Sequence, residues 1–424
     1  MCEVLVGLPD VNVLGVMDDP DGPLVVCVEL RLDGDAACGG CGGPATVKDR
    51  VWVEFVDLPS FGRRTRLRWR KHRLECLNGG CPVRSWTVEA ASIAAPRLSL
   101  TDRAGRWVTF QVGRHGRTVT EVAGDLGCGW HAVNDAVIAY GTPLVDDPVR
   151  IGNPTAVGLD ETMFKHVGQY REQCWSTQIV DVSAGYLLDI VEGRDAAEPC
   201  KWFAKRSTEW LAGVKWATLD LSASYRSVFN TMLPDAVQVA DPFHVVRVAN
   251  TALDECRRRV QQDTTGHRGL RNDPLYRARR RLTMAAEHLT GQDRERLVGL
   301  LRAGDPTQQV WFAWNAKEIV RQTYTITDPV LAREWVAEIC RDFVDESMPI
   351  EVRRLGRTIR KWRNEIVAWH DAHVSNGPTE AINNLIKRVK RVAFGFNKFE
   401  NYRIRSLLYA GKPNWDLLAT ITPR

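Results

Sequence analysis

Glu380 is an isolated acid in a basic segment, residues 375–391 (SNGPTEAINNLIKRVKR). At about 100° per residue, Ile382, Leu385, Ile386 and Val389 form an apolar stripe, and Glu380, Asn384, Lys387 and Arg391 share the opposite face. Ser375 or Asn376 can cap this helix, and Pro378 suits its first turn. A carboxylate beside amide and cationic groups suits a hard metal ion next to a polyanion. The alternative is a solvated face with i,i+4 charge support. Four cysteines carry a second chemistry: Cys38-x2-Cys41 and Cys76-x4-Cys81, separated by 34 residues. Glycines inside each pair permit a tight knuckle, so four thiolates can converge on one tetrahedral Zn²⁺. Two accidental pairs of buried or redox thiols are the other reading. Asp160 and Asp220 complete the set. Each alone can be a strand-end cap or a turn residue.

The elements that position these groups follow from periodicity. Residues 51–56 (VWVEFV) and 67–70 alternate as hairpin strands between the cysteine pairs, giving a small β module over residues 1–95. A Zn²⁺ with four thiolates carries a net charge of −2, which the arginines of residues 61–73 would offset; they could equally reach phosphates. Residues 98–112 read as a helix. In residues 116–140, Ala123, Gly127 and Val133 hold the small, turn and branched positions of a helix-turn-helix within 96–145. Its second helix would start near Trp130, with His131 and Asn134 as exposed base-edge or phosphate contacts. A plain helical hairpin would look similar. Residues 146–154 are a linker.

Strands are then expected at 156–164, 175–181, 185–191, 215–221 and 236–240, with helices at 196–211 and 224–233. The order βββαβαβ is that of a ribonuclease H-like core. In such a sheet the first and fourth strands are neighbours, which would let Asp160 and Asp220 converge. Residues 242–372 read as wholly helical, with Trp311, Trp314, Trp335, Trp362 and Trp369 as core residues. The Glu380 helix must pack back onto the sheet to complete a site. The fold class is thus a multidomain α+β or α/β chain: a four-cysteine zinc β module, a helix-turn-helix, and a core over 155–244 and 373–411 interrupted by a helical insertion at 245–372.

Composition agrees. With 424 residues, 44% of them hydrophobic and 26% charged, the chain has room for several domains. Seven of the eleven cysteines are scattered, which argues against a disulfide framework. No apolar run is long enough to span a membrane, and the first residues lack a basic region followed by an apolar stretch, so a cytoplasmic, nucleoid-associated location is expected. The net charge of +5 is small, but basic residues cluster at 61–73, 257–259, 277–281 and 353–363. Local patches, rather than global charge, would meet nucleic acid; each alone can be a solvated face.

The two cysteine pairs, the Gly-Leu-Asp160-Glu strand, Leu219-Asp220-x4-Tyr225, Asp241-Pro-Phe-His244-x2-Arg247-x2-Asn250 with Arg257-Arg-Arg, and Ser375-Asn-Gly-x2-Glu380-x2-Asn383-x3-Lys387-x3-Arg391-x3-Gly395-Phe together closely resemble the ISL3-type insertion-sequence transposases. The resemblance covers nearly the whole chain. It implies a DDE transposase whose zinc module and helix-turn-helix recognise terminal inverted repeats, with Asp160, Asp220 and Glu380 as the triad. Three such carboxylates can hold two Mg²⁺ ions, or Mn²⁺, for in-line phosphoryl transfer. Lys387 and Arg391 would hold a flanking phosphate. Asp241 rivals Asp220 as the second ligand, but its spacing to His244 suits support of the site. Double-stranded DNA, both element ends and target, would be the partner, bound by a homodimer or larger assembly. A structure-specific nuclease and a zinc and helix-turn-helix regulator are the other function classes.

Overall fold

The computed structural model describes residues 6–8, 10–32 and 36–423; Cys2, one of the scattered cysteines, lies outside them. The first sheet contains β1 (Val11–Met17), β2 (Leu24–Leu30), β3 (Ala45–Ser60), β4 (Arg63–Cys76) and β5 (Ser85–Thr87). Its order is β1-β2-β4-β3, with β5 on the remaining part of β4. The expected hairpin is therefore much longer than the alternating cores of its strands, and two further strands precede it. β1 escapes a pattern reading because only Val11 is buried, and β2 because its first five residues, LVVCV, are apolar without alternation. Leu67 and Trp69, alternate residues of β4, enter a core with Val26, Val28 and Phe55.

Three helices follow: α1 (Asp102–Gly113), α2 (Val119–Leu126) and α3 (Trp130–Val145). Thr118 and Glu121 form a reciprocal capping box that starts α2. Gly127 ends α2 in the left-handed region at φ 61°, where a Cβ would lie 2.5 Å from Arg64. Ala123 and Val133 are buried.

The second sheet contains β6 (Ala156–Val167), β7 (Glu172–Asp181), β8 (Tyr186–Glu192), β9 (Trp216–Leu219) and β10 (Val237–Ala240), in the order β10-β9-β6-β7-β8. β9 runs parallel to β6 and to β10, whereas β6, β7 and β8 are antiparallel. The first and fourth strands are neighbours. The helix expected at 196–211 is two helices, α4 (Ala197–Phe203) and α5 (Thr208–Gly213), because the Ser207 side chain accepts from Trp210 N and starts a new turn. α6 (Ala223–Met232) precedes β10.

Seven helices lie between β10 and the Glu380 segment: α7 (Pro242–Thr265), α8 (Pro274–Thr283), α9 (Gly291–Gly304), α10 (Gln309–Thr323), α11 (Pro329–Asp342), α12 (Ile350–Lys361) and α13 (Arg363–Ala372). Then α14 (Gly377–Val392) and α15 (Phe399–Ala410) return to the sheet. Alternate residues of β7 face opposite layers: Ile179 joins a core with α4–α7 and the helical block, and Val180 joins one with α1–α3, α14 and α15. The block thus shares one continuous core with the sheet. Trp362 is buried there and Trp314, Trp335 and Trp369 are partly buried, but Trp311 is 36% exposed, contrary to the expectation that all five are core. No helix among the described residues is long and apolar enough to cross a membrane.

Candidate active site

Parallel pairing sets one row of acids. The register that pairs Gly158 with Thr218, and Leu219 with Ala240, runs on to bring residues 160, 220 and 241 level across β6, β9 and β10. Leu221, at φ 66°, turns the chain directly after Asp220. The three aspartates then differ in what they bond. Asp160 Oδ1 accepts from Glu161 N at 2.7 Å and its Oδ2 from Asn383 Nδ2 at 2.6 Å. Asp220 Oδ1 is buried with no hydrogen-bond partner. Asp241 is 3% exposed and fully engaged: it caps α7, taking His244 N and Nδ1 on Oδ2 and Asn376 N on Oδ1.

α14 is held to this row through small contacts. Asn376 stands at its N-terminus but makes no side-chain cap; its Oδ1 instead accepts from Thr218 Oγ1 at 3.0 Å. Asn376 is therefore a clamp between helix and sheet, while Ser375 Oγ accepts from Gly377 N at the helix start. A Cβ on Gly158 would lie 2.4 Å from Thr379 Oγ1, 2.8 Å from Thr218 Oγ1 and 2.9 Å from Asn376 Oδ1, so only glycine admits the helix this closely. Ile382, Ile386 and Val389 are buried beneath it, and Asn384, Lys387 and Arg391 are exposed. Glu380 meets the row through His244, whose Nε2 is 3.7 Å from Glu380 Oε1.

Burial and crowding shape the charges. Desolvation, reinforced by the Asp220 charge, pushes Asp160 up to about 6. Asp220 is raised by burial against the opposing pull of His244. Glu161 is raised by burial and by Asp220. His244 is lowered by burial but raised further by Asp241, ending above the usual imidazole value. By donor chemistry, the unbonded buried carboxylate oxygen of Asp220, with the Asp160 carboxylate level with it, suits a divalent cation, although among the described residues only the four thiols already lie close enough together to share one ion. Glu161 and Asn383 escaped the sequence reading as site residues. Asn383 lies one turn beyond Glu380, beside the apolar stripe, and only packing shows that it points at Asp160.

The expected nucleic-acid contacts are divided. Trp130 and His131 are exposed at the start of α3. Asn134 is not; it is 6% exposed and its Nδ2 reaches Asp135 Oδ1 at 3.5 Å, on a helix packed against α1 and α15. The basic run at 61–73 is also largely committed inward. Arg66 donates to Leu126 O and Gly127 O, Arg64 to Gly124 O, and Arg70 to Glu29, so these cations satisfy the C-terminal carbonyls of α2 and an acid of β2. In the helical block Arg257 pairs with Asp254, Arg259 with Glu351 and Arg281 with Asp293.

The thiols of Cys38, Cys41, Cys76 and Cys81 all lie within 4.8 Å of one another. Cys38 to Cys81 is 3.8 Å and Cys41 to Cys76 is 3.6 Å. A tetrahedron with Zn–S bonds of ~2.3 Å has edges of about 3.8 Å, so the donor set fits one structural zinc. The backbone amide of Gly40 pulls Cys38 down to about 7, favouring the thiolate. A Cβ on Gly40 would lie 2.7 Å from Val83, which explains glycine in the knuckle.

Residues 35–81 match a family model described as the zinc-finger of transposase IS204/IS1001/IS1096/IS1165. Residues 157–406, more than half of the chain, match the transposase model of the ISL3 type. The chain belongs to the ISL3 family of transposases. This transposase is 27% identical over 413 residues to the transposase for insertion sequence element IS1557 of Mycobacterium tuberculosis, covering 89% of this chain and 87% of the relative. It is 23% identical over 378 residues to the transposase for IS1001 of Bordetella parapertussis, covering 87% of each. Among solved structures, a Drosophila P element transposase strand transfer complex matches at a TM-score of 0.40 and 7% identity, covering 76% of this chain and 94% of that one.

Proposed function

We propose that Asp160, Asp220 and Glu380 are the catalytic carboxylates of this transposase. They would stand in a ribonuclease H-like core over residues 155–244 and 373–411, with residues 245–372 as the helical insertion. The observation that carries this reading is the level row: Asp220 keeps a buried oxygen unbonded, whereas its neighbour Asp241 has both oxygens engaged. The three carboxylates would hold two Mg²⁺ ions, or Mn²⁺, which when bound supply charge for activating the nucleophile and stabilising the leaving oxygen. Asn383 orients Asp160, and Asp241 orients His244 toward Glu380. Lys387 and Arg391, exposed on α14, hold a flanking phosphate. In cleavage a water oxygen bonds to phosphorus as the phosphorus bond to the 3′ oxygen breaks, freeing a 3′-hydroxyl. In joining, the oxygen of that hydroxyl bonds to a target phosphorus as the target's own phosphorus–3′ oxygen bond breaks, leaving a 3′-hydroxyl on the target strand.

Residues 1–95 and 96–145 would serve as the zinc module and a DNA-reading helix-turn-helix for the terminal inverted repeats, with Trp130 and His131 at the contact. Pairing two ends calls for a homodimer or larger assembly working on the nucleoid. Strand cleavage by Asp220→Asn and Asp241→Asn proteins tests the triad: full activity in the first removes Asp220 from it. Joining of a labelled element end to a plasmid separates a transposase from a nuclease, which cuts without joining, and from a regulator, which does neither.

A further inference from the structure

A cavity of about 710 Å³ opens between the start of α3, the far end of β6 and the turn after α14. Arg405 of α15 lines it and is 5% exposed. Its Nε is buried without a partner, and no hydrogen bond or ion pair to its guanidinium is found among the described residues; the ring of Phe396 lies 5.1 Å away. Burial pulls this group down to about 10, still cationic near neutral pH. A buried guanidinium without a counter-charge is costly, so an anion is the natural occupant. Lys165, Lys390 and Lys398 also line the cavity, against a single acid, Asp135.

Phe394 supplies a second, independent observation. It is 96% exposed, and its backbone is left-handed at φ 54°, a conformation that bulky residues rarely hold. The turn that bears it is fastened on both sides: Lys390 Nζ donates to Met163 O and Lys165 Nζ to Asn397 O, each at 2.6 Å. The chain thus fixes an aromatic ring in water beside a buried cation. Trp130, 42% exposed, also lines the cavity.

We propose that this cavity takes one nucleotide that has left the duplex, with its phosphate on Arg405 and its base against Phe394 and Trp130. A phosphate still in a duplex stays on the outer surface and does not enter a cavity to meet a guanidinium this buried. An aromatic ring adds nothing to backbone binding but stacks any unpaired base. The volume is in the range of small-molecule sites. The inference rests on the reading of the chain as a DNA transposase, yet uses residues outside the carboxylate row.

The test is binding by the full chain without added Mg²⁺, which keeps cleavage out of the readout. The probes are a paired duplex and the same duplex with one unpaired 2-aminopurine. The unpaired probe is expected to bind on the order of tenfold tighter, with its fluorescence quenched by stacking. Phe394→Gly, which relieves the backbone strain and so does not threaten folding, should abolish the quenching and most of the preference while leaving duplex affinity unchanged. Arg405→Met, which keeps an unbranched apolar stem but removes the charge, should lose the preference too. Equal affinity for the two probes, or full quenching in Phe394→Gly, overturns the proposal while leaving the catalytic reading intact. Failure to bind either probe overturns both.

Discussion

Cys38, Cys41, Cys76 and Cys81 are gathered by one hairpin, whereas Asp160, Asp220 and Glu380 come from two strands and a helix separated by the whole helical block. In the first region the β3–β4 register seats Cys76 opposite Ala45, and glycines shape the knuckles; the thiols converge within 4.8 Å. In the second, like charges are spread and steadied by other groups, Asn383 for Asp160 and His244 for Glu380. A local site can be shaped by short-range geometry. A long-range acidic site must be held by the surrounding fold against its own repulsion and desolvation.

The largest expected effect lies on the acidic side. Glu380→Gln should lower the rate of end cleavage by on the order of a thousandfold, with duplex affinity in a gel-shift assay retained, since the proposed catalytic carboxylate is lost without a packing change. Near-normal cleavage would end its assignment. On the thiol side, Cys81→Ser should reduce zinc, measured by elemental analysis, well below one ion per chain and cost several kcal/mol of module stability. A module that keeps its zinc and melts unchanged would show that the hairpin core alone suffices.

Gly158→Ala probes the dependence of the acidic site on close packing. The three contacts under 3 Å around the new Cβ predict a loss of about 3 kcal/mol in denaturant unfolding. Cleavage should fall as well, because α14 is displaced. A mutant within about 0.5 kcal/mol of the parent would mean that the helix end yields freely.

In stability, Asp160→Asn should give the smallest effect, and its sign is distinctive; as a member of the proposed triad it should cost cleavage as much as Glu380→Gln. The folded carboxyl titrates near 6, above its unfolded value, so the folded state binds the proton more tightly. Its contribution to stability is present below the unfolded value and is lost as pH rises through about 6. Substitution should therefore stabilise the Mg²⁺-free protein by about 2 kcal/mol at pH 7.5 and by little at pH 4, measured by chemical denaturation at both pH values. A destabilised mutant at pH 7.5 would show that the Asn383 contact outweighs desolvation.

Much of this contrast was readable in advance. The cysteine spacing, the strand segments of β6 to β8 and the helical stripe of α14 are short-range signals, and each survives in the structure. Pattern failed where environment decides. Asn134 has the spacing of an exposed contact but is buried, and Arg64 and Arg66 of β4 donate to the C-terminal carbonyls of α2. Asn376 resembles a helix cap but reaches across to β9.

By itself, the sequence determined which residues can do chemistry and which elements carry them, because turn residues, ligand types and hydrophobic periods act over a few positions. The tertiary structure alone decided that Asp160, Asp220 and Asp241 stand level, that Asp241 is consumed by His244 and Asn376, and that Arg405 is buried beside an exposed Phe394. Those outcomes depend on parallel register and on the return of α14 and α15 across the sheet, contacts between residues far apart in the chain whose energies no local pattern encodes.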